Sequence, residues 1–135
     1  ADPGALRELV QARYVLEPQL AALAAEHADE AEINGLFATL ARMRSKKSRF
    51  ELMSVGHQFH LELAAAAHNR VLEGFYRSAA GQMRSMRVLE SLTLEVYLEG
   101  VEEHFAIAGA IRQHDAPLAA QRMQEHLKKD YSAYL

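Results

Sequence analysis

Residues 49–67 read RFELMSVGHQFHLELAAAA, and this stretch decides the fold class. Its apolar side chains recur three or four positions apart, at Leu52, Val55, Phe59, Leu63 and Ala66. Because an α-helix turns once every 3.6 residues, this spacing places them along one helical face. A half-buried strand would need strict alternation of apolar and polar residues, which the stretch lacks. The stretch therefore predicts an amphipathic helix that buries one face.

The same period continues along the rest of the chain. It predicts further helices over about residues 6–28, 30–44, 70–98 and 101–113, and a last helix capped by Asp115. Glycine and proline are scattered singly, so no linker divides residues 1–135. The sequence predicts one all-α domain, an antiparallel bundle of six or seven helices joined by short turns.

Two places predict an interruption of this pattern. Pro18 lacks an N–H and clashes with the carbonyl four residues earlier, so we expect a kink or break near Leu16–Pro18. The run Ser91-Leu92-Thr93 has weak helix propensity, which predicts that segment 70–98 divides there.

Composition excludes several classes of protein. The 135 residues (15.1 kDa) are 50% apolar and 24% charged, which indicates one globular domain rather than disorder. A net charge of -3 disfavours DNA or anionic lipid binding by bulk electrostatics. The absence of cysteine excludes disulfides and thiolate zinc sites. No membrane span or signal peptide is recognisable, so we expect a cytoplasmic protein.

Three histidines lie on or beside apolar helical faces. His104 belongs to the inward stripe of segment 101–113, His126 lies one turn after Met123, and His60 lies within the stretch quoted above. Three neutral imidazoles bind zinc and related ions and leave one coordination position open. A single buried histidine is more often a hydrogen-bonded core residue than a metal ligand, and spacing alone does not show that the three meet. The pattern indicates a candidate metal or proton-linked site.

Several motifs, in order along the chain, resemble one family. They are RYVLEP at 13–18, FHLELAAAAHNRVL at 59–72, EHFAIAGAI at 103–111, and Asp115, Met123 and His126-Leu127 after it. This set is similar to the FadR-type C-terminal (FCD) domain, the effector-binding half of many GntR-family transcription regulators. The resemblance covers about 115 of the 135 residues.

The resemblance implies a non-enzymatic, usually dimeric bundle with a cavity for a small organic acid. In the metal-binding branch of the family, one aspartate and three histidines hold a divalent ion, zinc or another transition ion such as nickel. The histidines carry over to His60, His104 and His126, whereas the aspartate position is Gly56. Three alternatives stay open: a three-histidine site completed by effector or water, a weak site often empty, or a metal-free pocket.

The remaining expectations concern ligand and partners. Arg13 and Arg84 are candidates for binding a carboxylate, and Asn69 for orienting the ligand, although Asn69 is also a preferred helix cap. The family places a winged-helix DNA-binding domain before this one. We therefore expect residues 1–135 to be an isolated effector domain that forms a homodimer and reaches DNA only through the missing domain.

Two other functions are alternatives to ligand sensing. A three-histidine zinc hydrolase would need a general base near the bound water, and Glu62 and Glu103 are predicted to lie on other helical faces. A purely structural dimerisation bundle would leave the histidines as core residues without ligand-induced stabilisation.

Overall fold

The computed structural model describes residues 3–86 and 93–135, and this part of the chain is an all-α bundle without strands. Six helices follow one another, α1 Pro3–His27, α2 Glu30–Arg44, α3 Arg49–Ala66, α4 Arg70–Ser85, α5 Leu94–Arg112 and α6 Ala116–Tyr131. A short 3-10 turn, Ser132–Tyr134, follows α6. The predicted fold class is confirmed.

Each helix after the first begins with a side chain that caps it. Asp29, Ser48, Asn69, Thr93 and Asp115 each accept a hydrogen bond from the backbone N–H three residues later. Such a bond satisfies one of the donors that a helix N-terminus leaves free. These caps fix where the chain turns, and the capping role predicted for Asn69 and Asp115 is confirmed.

Helix α1 is the centre of the bundle, since it packs against α3, α4, α5 and α6. It runs antiparallel to α6: His114, just before α6, contacts the Ala25 carbonyl at 2.9 Å, while Arg13 contacts Tyr131 near the far end. Helix α2 completes the bundle by packing on α3 and α5. Residues from α1, α3, α5 and α6 can therefore meet around one axis.

Of the kink or break predicted near Leu16–Pro18, the break is wrong, because α1 stays helical through Pro18. Pro18 is buried, and Leu20 and Ala21 on the next turn are fully buried. The apolar area that α1 buries on four partners offsets the single backbone hydrogen bond that proline removes.

Segment 70–98 is not one helix, since α4 ends at Ser85 and α5 begins at Leu94. Ser91 and Leu92, where a division was predicted, lie outside the described residues. The predicted start at 101 is also wrong, because α5 passes through Gly100. A Cβ at Gly100 would lie 3.9 Å from His126 Cε1, which is an ordinary van der Waals contact. In the described ranges, no helix is long and apolar enough to cross a membrane.

Candidate metal centre

Three buried imidazoles meet at the axis of the bundle. His60 comes from α3, His104 from α5 and His126 from α6, and each is at most 6% exposed. One ring nitrogen of each lies within 4.8 Å of the others. The Nε2 atoms of His60 and His104 are 3.0 Å apart. The structure thus brings together the three histidines that the sequence singled out.

Carboxylates outside this cluster orient two of the three rings. His60 Nδ1 is hydrogen bonded to Glu17 of α1, and His126 Nδ1 lies 2.6 Å from Glu103 Oε1. With Nδ1 engaged, Nε2 is the nitrogen left to each ring for a ligand. Metal-binding histidines are commonly held in this way by a carboxylate on the other nitrogen.

Burial favours the neutral form of two of the central imidazoles, His104 and His60. It lowers the pKa of His104 well below its usual value, and neighbouring His126 and His60 add to the effect. Burial also lowers the pKa of His60, although Glu17 opposes the shift. In the described residues, His104 Nδ1 is buried without a hydrogen-bond partner. Neutral imidazole is the form that coordinates a metal ion.

Glu17 joins the histidines to a buried arginine. Its Oε2 lies 2.8 Å from Arg13 Nη2, and Arg13 Nη1 lies 2.9 Å from the Tyr131 hydroxyl. Burial alone would favour the protonated acid, but Arg13 and His60 outweigh it and lower the pKa of Glu17 to about 2. Glu17 is therefore an anion held between a guanidinium and an imidazole.

A cavity of about 200 Å³ opens beside the histidines. Its walls include the three imidazoles, and each of the six helices contributes at least one residue. Among the other lining residues are Gly56, His57, Tyr76, Arg84, Tyr97 and Asp130. Burial lowers the pKa of His57 to about 4, and the positive charge of Arg84 adds to this effect. This volume lies below the roughly 300–1,000 Å³ of typical drug-sized sites, so it suits a small metabolite.

The three predicted ligand residues occupy different environments. Arg13 lines the cavity, but its charge is paired with Glu17. Arg84 also lines the cavity and is exposed, and within the described ranges no carboxylate pairs with it. Asn69 is not part of the cavity wall, because its side chain caps α4 by accepting from the Leu72 N–H at 3.0 Å.

Gly56 faces the histidines, one turn before His60. A Cβ built there would lie 3.7 Å from His104 Cε1 and 3.2 Å from Met43 Cε. The first separation is an ordinary contact, and the second involves the flexible end of a methionine. Position 56 therefore points at the cluster and lacks only a side chain.

Glu103 does not line the cavity, as expected for another face of α5, but it contacts His126 across the α5–α6 interface. The sequence pattern of α5 cannot show which residue of α6 packs against Glu103. Glu62 does point elsewhere, to Thr39 Oγ1 at 2.6 Å and to Gln58. Sequence reasoning also missed Glu17 and Asp130, which follow Arg13 and His126 by one helical turn.

The residues present fit a first-row divalent ion. The Nε2 atoms of His60 and His104 are 3.0 Å apart, and the third ring lies beside them. This distance is close to the separation of two nitrogens that each lie about 2.0–2.1 Å from one zinc ion. Nitrogen donors of this kind suit zinc, nickel and copper better than magnesium or calcium.

Comparison with known proteins agrees with this architecture. A family model described as FCD domain matches residues 8–129. The chain is 31% identical over 134 residues to the "Putative L-lactate dehydrogenase operon regulatory protein" of Escherichia coli (strain K12), covering 93% of this chain and 50% of that protein. It is 27% identical over 137 residues to the "HTH-type transcriptional repressor NanR" of Edwardsiella tarda (strain FL6-60), covering 99% and 53%.

A solved structure, Streptococcus agalactiae GntR, has a similar fold. The TM-score is 0.78 at 20% identity, over 93% of this chain and 57% of that chain. The chain spans about half the length of the curated relatives it matches.

Proposed function

The chain belongs to the FCD domain family of GntR-type transcription regulators, and from that premise we propose that its cavity binds a small organic acid as the regulatory signal. A domain of this family senses a ligand and is not an enzyme, which sets aside the zinc hydrolase alternative. The observation that carries the proposal is the cavity itself, which combines three imidazoles with the cation Arg84, for which the described residues offer no carboxylate partner. Guanidinium binds a carboxylate through two parallel hydrogen bonds.

His60, His104 and His126 are the residues that would hold a divalent ion, zinc or nickel, in this cavity. Such an ion, when bound, supplies a positive charge and an open coordination position for a ligand oxygen. The chain's own groups do the rest: Glu17 and Glu103 hold the rings in place, and Arg84 attracts the anion from the mouth. The metal-free alternative relies on Arg84 and His57 alone.

A thermal-shift screen with small carboxylic acids tests this function. The panel includes L-lactate, because one relative is named for an L-lactate dehydrogenase operon. It is run with zinc and with a chelator, which separates the metal-dependent from the metal-free alternative. A ligand at one hundred times its Kd stabilises the fold by about 2.7 kcal/mol. No stabilisation by any acid in either condition would contradict the proposal.

Arg84→Met is expected to weaken binding of the acid found in that screen by about tenfold or more. Hydrogen bonds to charged groups contribute about 1.5–3 kcal/mol, and Arg84 is exposed, so the fold itself should be unaffected. Calorimetry gives the Kd. The matched control is Arg77→Met on the same helix, since Arg77 pairs with Glu73 on the surface at 2.9 Å. Equal affinity in the two variants would contradict a role for Arg84.

We further propose that the domain is a cytoplasmic homodimer that reaches DNA through another part of a longer regulator. The family resemblance and the length of the curated relatives support this. Light scattering on the purified domain is expected to give twice the 15.1 kDa chain mass. A mass of one chain at high micromolar concentration would contradict the dimer.

A further inference from the structure

Three carboxylates surround the histidine cluster, and two of them are fully engaged. Glu17 binds Arg13 and His60. Glu103 binds His126 and also pairs with Lys129 Nζ at 3.0 Å. These two acids already have cationic or N–H partners, so neither is free to bind a cation in the cavity.

Asp130 differs from both. Its side chain is only 17% exposed and lines the cavity, yet its nearest polar contact is His126 Nε2 at 3.7 Å. In the part of the chain that the structure describes, no lysine or arginine pairs with it and no donor reaches it. A largely buried carboxylate without a partner is unfavourable, and such a group in a native structure needs an explanation. A cation in the cavity would supply the missing partner.

The position of Asp130 suits a shared cation. His126 Nδ1 is engaged with Glu103, so Nε2 is the nitrogen that faces the cavity, and this is the atom nearest to Asp130. Two ligands of one tetrahedral zinc ion, each about 2.0–2.2 Å from it, lie roughly 3.4 Å apart. The ligand atoms of Asp130, His126 and Glu103 lie within 4.8 Å of one another, whereas Asp130 is not within that distance of all three histidines, so its side chain must rotate toward His60 and His104 to share an ion with them. Residues four apart share a helical face, so α6 presents both groups together.

Resting on the metal site of the proposed function, we propose that Asp130 is the carboxylate ligand of the bound ion. It replaces, from α6, the acid that Gly56 does not provide on α3. Without it, a divalent ion in this buried place would have only neutral protein ligands. The protein thus holds the ion by three imidazoles and one carboxylate, with the carboxylate delivered by a different helix.

Zinc affinity of Asp130→Asn, measured by competition with a chromophoric chelator, tests the proposal. The variant is expected to bind zinc about tenfold or more weakly, while its metal-free form melts at the same or a higher temperature because an unpartnered buried charge is gone. Glu125→Gln is the matched control, since Glu125 lies on the same helix and pairs with Arg122 and Gln121 at the surface. The visible spectrum of the cobalt-substituted protein should change in D130N and not in the control.

Gly56→Asp in the D130N background gives a second, independent readout. The space at position 56 accepts a Cβ with a small shift of Met43, so the double variant should regain wild-type zinc affinity. Unchanged affinity and an unchanged cobalt spectrum in D130N would overturn the role of Asp130 and leave the three-histidine site standing. If the wild-type protein binds no zinc, both the role of Asp130 and the three-histidine metal site are overturned. Thermal stabilisation by carboxylic acids in the presence of a chelator would then identify a metal-free pocket.

Discussion

Replacing Glu17 by alanine is expected to destabilise the domain by about 3–5 kcal/mol, because it leaves the Arg13 guanidinium buried without its counter-ion. Arg13 is 7% exposed and Glu17 1% exposed, so water cannot solvate the charge in the folded state. Domains of this size have about 5–15 kcal/mol of total stability, and the loss is a large part of it. Urea unfolding followed by circular dichroism gives the free energy of unfolding.

The control for this variant is Glu26→Ala, on the same helix. Glu26 is 54% exposed at its side chain and pairs with the neighbouring His27 at 3.7 Å, so we expect a change within about 0.5 kcal/mol. Replacing both Arg13 and Glu17 by methionine should cost far less than E17A alone, since a buried ion pair is often replaced by apolar groups at little cost. Additive losses in the double variant would show that the two charges do not depend on one another.

His104→Ala is expected to raise the Kd for zinc by more than about 100-fold. Removing a residue that only hydrogen bonds to a metal ligand already lowers metal affinity about 10–100-fold. His104 is placed as a ligand itself, since its Nε2 lies 3.0 Å from that of His60. Isothermal calorimetry and elemental analysis of the purified protein measure the effect. The metal-free variant should remain folded, because the replaced ring has a buried Nδ1 without a partner.

His68→Ala serves as the control for the zinc measurement. His68 lies at the end of α3, is 51% exposed at its side chain and contacts Glu32 at 2.8 Å, so zinc binding should not change. His104→Gln keeps the volume and gives a second test if the alanine variant is poorly stable. Wild-type zinc content in either His104 variant would contradict the assignment of this residue.

The site could be predicted from the sequence only in part. The inward faces of α3, α5 and α6 carry His60, His104 and His126, and periodicity within each helix was sufficient to select them. It did not show that Arg13 and Arg84 differ. Both are arginines at helical positions facing the cavity, but Glu17 neutralises the first and the second has no carboxylate partner among the described residues.

The sequence by itself determined the all-α class, the caps Asn69 and Asp115, the family and the three histidines, because hydrophobic period, capping side chains and ordered motifs are properties of neighbouring residues. Only the tertiary structure decided which acids serve those histidines. Glu17 and His60 are 43 positions apart, and Glu103 and His126 are 23 apart, so their contacts depend on how α1, α5 and α6 pack. Packing also decided that α1 stays helical through Pro18, since burial on several neighbours outweighs a local preference to break.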